Sequence, residues 1–76
     1  MSIRVFVNGG MVDLPAGAAV SEAVGTFDLA LQERLAAGAA YVTDGRGIEI
    51  DPAERLTSGA ILRVVVRARR GPDADA

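Results

Sequence analysis

Ile3-Arg4-Val5-Phe6-Val7-Asn8-Gly9-Gly10-Met11-Val12-Asp13-Leu14-Pro15 decides how the chain begins to fold. Ile3, Val5 and Val7 alternate with Arg4, Phe6 and Asn8, the period of two that marks a strand with one buried face. Asn8-Gly9-Gly10 follows, and both residue types tolerate the positive φ of a tight hairpin turn. Val12 and Leu14 then alternate with Met11 and Asp13 until Pro15 stops the return strand. The opening unit is therefore a β-hairpin, with Phe6 on the face opposite Val5 and Val7.

Outward from the hairpin, residues 15–19 form a connector, and Ser21 is the expected N-cap of a helix. Val20, Ala23, Val24, Phe27, Leu31 and Leu35 recur at steps of three and four, which gathers them on one helical stripe. Gly25 within that stripe costs about 1 kcal/mol relative to Ala, so a break there and a restart near Asp28 are expected. Gly38 is placed to end the helix in the left-handed conformation. Tyr41-Val42-Thr43 reads as a short strand, Asp44-Gly45-Arg46-Gly47 as a turn, and Ile48-Glu49-Ile50 as the strand returning from it. Residues 52–56 make a single turn. In the last strand, Leu62, Val64 and Val66 point one way and Ile61, Arg63, Val65 and Arg67 the other.

Strand, strand, helix, strand, strand, turn, strand is an α+β order. One apolar helical stripe is most simply buried on one face of a mixed sheet. The helix and second hairpin are long enough for the last strand to lie parallel to the first. A β-grasp follows: a four- to five-stranded mixed sheet packed on one main helix. The expected division is a domain over residues 1–68 and a flexible tail over 69–76.

A 76-residue chain with neither Cys nor His has no disulfide, no thiolate or imidazole metal ligand and no His-based acid or base. A net charge of −2 gives no general attraction to nucleic acid or to an anionic membrane. No apolar run approaches the roughly 18 residues of a membrane span. The start of the chain alternates where a targeting segment would be continuously apolar. A soluble cytoplasmic protein is the expectation. Asp44, Glu49 and Asp51 lack the ligand spacing of a calcium loop, so a hairpin turn is the expected structure there.

Three segments resemble the ubiquitin-like sulfur carriers of the ThiS/MoaD family. They are Val5-Phe6-Val7-Asn8-Gly9, then Leu14-Pro15-Ala16-Gly17-Ala18-Ala19-Val20-Ser21, then Leu56-Thr57-Ser58-Gly59-Ala60-Ile61-Leu62-Arg63-Val64. Each alone is a generic turn or strand entry; in order and at this spacing they are similar to the family over residues 2–67. The resemblance implies a protein that is not itself an enzyme and binds no cofactor. An ATP-using adenylating enzyme is the implied partner, and it activates a C-terminal glycine. Glycine suits that role because a residue without Cβ threads a narrow site and leaves its carbonyl open. The family ends in Gly-Gly, whereas this chain reads Arg69-Arg70-Gly71 and continues through Ala76. Gly71 is thus the reactive terminus after a protease trims the tail, with Arg67, Arg69 and Arg70 as an arm entering the partner. Phe6, Val65, Tyr41 and Arg63 form the expected docking face. The alternative is a β-grasp binding module that keeps this face and has lost the tail chemistry.

Overall fold

The computed structural model describes residues 1–67. Among the described residues five strands and two helices follow in the order β1 (Ser2–Val7), β2 (Gly10–Pro15), α1 (Val20–Phe27), α2 (Leu29–Ala36), β3 (Ala40–Asp44), β4 (Glu49–Ile50) and β5 (Ile61–Val66). The strands form one mixed sheet in the order β2-β1-β5-β3-β4. Only the pair β1–β5 is parallel. The architecture is α+β and compatible with a β-grasp.

The hairpin forms as its sequence dictates. Asn8 and Gly9 both have positive φ, 51° and 84°, and Val7 pairs with Gly10 across them. Asn8 has a second task, because its Oδ1 accepts a hydrogen bond from the Val64 N–H at 2.9 Å. The turn of the first hairpin is thereby tied to the last strand. Asn8→Ala removes that bond and also places a less tolerant residue at positive φ, so a loss of about 2 kcal/mol is expected. Asn8→Gly removes the bond alone, and urea denaturation should show about 1 kcal/mol. No loss in Asn8→Gly would mean that the bond to Val64 contributes nothing.

One face of the sheet carries the core. Val5, Val7, Val12, Leu14, Val42 and Leu62 are buried there against Val20, Ala23, Val24 and Leu35 of the helices. Two eight-residue helices stand where the stripe predicts one main helix. Gly25 stays helical and the break falls at Asp28, whose extended backbone ends α1 and whose Oδ1 accepts from the Ala30 N–H at 2.9 Å to start α2. Gly25 serves packing instead: a Cβ there would overlap the Gln32 side chain, which donates to the Ser21 carbonyl at 3.0 Å. The change of direction leaves Phe27 exposed and Leu31 half-buried, although both lie on the sequence stripe.

Ser21 is not the N-cap; Ala19 occupies that position and has no side-chain acceptor. Substitutes come from further away. Glu22 accepts from the Ala19 N–H at 2.7 Å, while the carbonyls of Glu54 and Pro52 accept from the Val20 and Ser21 N–H groups, each at 2.9 Å. At the other end Gly38 (φ 79°) stops α2 as expected, with Gly38 N–H donating to Leu35 and Ala39 N–H to Arg34. Val66 differs from its sequence reading: it lies on the core side of β5 by alternation but is 44% exposed.

Asp44 fixes the β3–β4 turn. Its Oδ1 accepts from the Arg46 N–H at 2.8 Å and the Ile48 N–H at 3.1 Å. The Ile48 and Arg46 amides, helped by the Arg46 charge, hold its carboxyl below the usual aspartate value. A lowered folded pKa contributes stability that is complete above the unfolded value and is lost as pH falls through the folded one. Stability should therefore decline below about pH 4, and Asp44→Asn should flatten that part of the acid-unfolding curve. An unchanged curve would locate the acid sensitivity elsewhere.

Candidate functional site

The face of the sheet opposite the helices is open, and strand register decides which of its residues meet. Phe6 of β1 pairs with Met11 of β2 and with Ile61 of β5, giving an apolar row across three strands. Met11 is 58%, Phe6 36% and Ile61 54% exposed. Arg4 and Asp13 continue the β1–β2 pairing one step along this face as an ion pair at 3.0 Å.

Tyr41 pairs with Val65, and Arg63 with Thr43, on the β3–β5 side. Phe6 and Val65 were expected on one face of neighbouring strands. The strands are neighbours, but the parallel register sets Phe6 against Ile61, four residues before Val65. At roughly 3.3 Å per residue that is about 13 Å along the strand. The expected docking face is therefore two apolar groups, Met11–Phe6–Ile61 and Tyr41–Val65, with Arg63 between them on β5. Met11 and Ile61 were missed because alternation gives the face of a side chain and not its neighbour on the next strand. No tight turn fixes the β1–β5 register, so the sequence carried no local signal for it.

Arg67 belongs to the sheet end and not to a separate arm. Its N–H donates to the Ala39 carbonyl at 2.8 Å, its Nε donates to the Gly38 carbonyl at 3.1 Å, and its guanidinium lies 4.8 Å from the centre of the Tyr41 ring. A cation over an aromatic face in this range is attracted by the ring quadrupole. Tyr41, Val65 and Arg67 thus form one packed group. Arg69, Arg70 and Gly71 lie outside the described residues.

Four carboxylates of the described residues serve the backbone. Glu22, Asp28, Asp44 and Asp51 each accept a main-chain N–H at a helix start or turn. No group of three or more metal-ligating side chains occurs among the described residues. A cleft of about 320 Å³ between the β3–β4 turn and the loop before β5 is bordered by Arg46, Glu54, Arg55 and Ile61. There Arg46 stands 3.6 Å from Asp44, and Arg55 donates to the Gly17 carbonyl at 2.7 Å. No described helix is long and apolar enough to cross a membrane. No family model matches the chain, and no curated protein matches it.

Proposed function

We propose that this chain is a ubiquitin-like β-grasp protein of the sulfur-carrier or modifier type, a substrate of an adenylating enzyme and not an enzyme itself. The observation that carries this reading is the strand order β2-β1-β5-β3-β4 with β1 and β5 parallel. That order brings the chain out of the middle of the sheet at Arg67, beside an open face with exposed apolar rows. An enzyme that docks on this face receives the following residues, and Gly71 is four positions beyond Arg67.

In this reading a protease removes residues 72–76 in the cytoplasm. The Gly71 carboxylate attacks the α-phosphate of ATP held by the partner, forming an acyl adenylate and releasing pyrophosphate. A sulfur donor, or in a modifier an amine, then displaces AMP at the carbonyl. ATP belongs to the partner's site, and this chain holds no cofactor. The test is pyrophosphate exchange into ATP by the adenylating enzyme of the same organism. A chain ending at Gly71 should support exchange, and the 76-residue chain should not. Failure of both would count against the reading.

The second reading is a binding module without tail chemistry. It is favoured by one observation: Met11, Phe6, Ile61, Tyr41 and Val65 all lie within the described residues.

A further inference from the structure

Among the described residues, none pairs with the edge of β5 facing the β1 side where β1 ends. β1 pairs with β5 only at Phe6–Ile61 and Val7–Leu62, after which the chain turns away through Asn8 and Gly9. β5 continues to Val66. The direction of its main-chain groups follows from the bonds on either side. Arg67 N–H donates to Ala39 on the β3 side, whereas the Leu62 carbonyl accepts from Asn8 and the Val64 N–H donates to the Asn8 side chain. Strand alternation then turns Val65 toward β3, and turns Val64 and Val66 toward the vacated lane of β1. The Val64 carbonyl and both main-chain groups of Val66 have no main-chain partner among the described residues.

This edge borders a groove of about 500 Å³ lined by Asn8, Gly9 and residues 61–65. An incoming residue level with Val65 would stand on the open face. Its diagonal neighbour on that face would be Arg63, whereas the Arg67 guanidinium is turned to Tyr41 and Gly38 on the β3 side. The ion pairs of the described residues are Arg4–Asp13 and Arg46–Asp44, so neither Arg63 nor Arg67 has a carboxylate partner there. The residues flanking the incoming one would point to the other face, beside Val64 and the exposed Val66. The longer outer edge of β2 offers no such match: its Asp13 is already paired with Arg4, and Pro15 ends it.

We infer that β5 binds an extended segment of a partner protein by strand addition in the lane β1 vacates, and that this segment reads apolar-acidic-apolar with its carboxylate beside Arg63. Main-chain bonds to the Val64 carbonyl and to Val66 supply register, and the Arg63 guanidinium selects the acidic residue. This site is independent of any chemistry at Gly71.

The test uses the full chain and an end-blocked heptapeptide of alternating valine and glutamate. In dilute protein alone, the Val66 amide should exchange its hydrogen much faster than the Val65 amide. The peptide should slow Val66 exchange at least tenfold. A peptide N-methylated at every residue, or one with lysine in place of glutamate, should bind at least tenfold more weakly. Val66→Pro should also abolish binding while leaving circular dichroism unchanged, because the N–H it removes has no ladder partner. If that variant unfolds, the methylated peptide still decides the matter. Equal binding of the methylated or lysine peptide would overturn the inference. So would a Val66 amide already slow in dilute protein, which would mean that the chain's own tail fills the lane. Slowing only as protein concentration rises would assign the edge to a second copy and would also overturn it.

Discussion

Leu62→Ala should lower the stability of the domain by about 3 kcal/mol, within the range for truncating a buried leucine. Leu62 is only 2% exposed and lies in β5 between β1 and β3, paired with Val7 and Asp44. Neighbouring strands on both sides limit how far the site can close after truncation. A chain of 76 residues has roughly 4–11 kcal/mol in total by the usual per-residue range, so the loss is a large share of it. Urea denaturation should show a lower midpoint with an unchanged slope. The adjacent Ile61→Ala is the control: its side chain is on the open face, and less than about 1 kcal/mol is expected. Similar losses for both would contradict the assignment of the two faces.

Removing Gly71 through Ala76 should abolish acyl adenylate formation completely, while removing only Pro72 through Ala76 should permit it. The two truncated chains differ by a single residue, Gly71, and both retain residues 1–67, which carry the whole described core. Circular dichroism and urea midpoints should therefore agree between them. Any difference in adenylation then belongs to the terminal residue and not to folding. Phe6→Arg supplies the complementary result. It places a charge in the Met11–Phe6–Ile61 row, and it should weaken docking of the adenylating enzyme in either truncated chain. A partner that binds both truncated chains equally, yet loses binding with Phe6→Arg, would favour the binding module.

What the sequence made legible follows from the range of each interaction. The Asn8-Gly9 turn was readable because its requirement for positive φ is met by the residues that make it. Gly38 was readable for the same reason. The N-terminus of α1 was not, because the carbonyls that receive its first N–H groups belong to Pro52 and Glu54, some thirty residues later. Ser21 looked like the cap only because no local residue revealed that substitution. Gly25 resembled a helix breaker, yet its missing side chain makes room for Gln32 of the next helix. Asp28, which breaks the helix, had been legible only as a restart.

On the candidate face, alternation correctly put Phe6, Tyr41, Arg63 and Val65 opposite the core. It could not set the parallel register that separates Phe6 from Val65 and joins it to Ile61. Exposure of Val66 was equally hidden, since alternation puts it on the core side of β5. Face is a local property of a strand, whereas neighbours across a parallel pair are set by the whole fold.

The most direct measurement is the intact mass of the protein recovered from its own organism, resolved at the C-terminus. The carrier reading predicts a species ending at Gly71, with a fraction heavier by the difference between sulfur and oxygen. A protein that ends at Ala76 under every growth condition would contradict it and leave the open face as the part that acts.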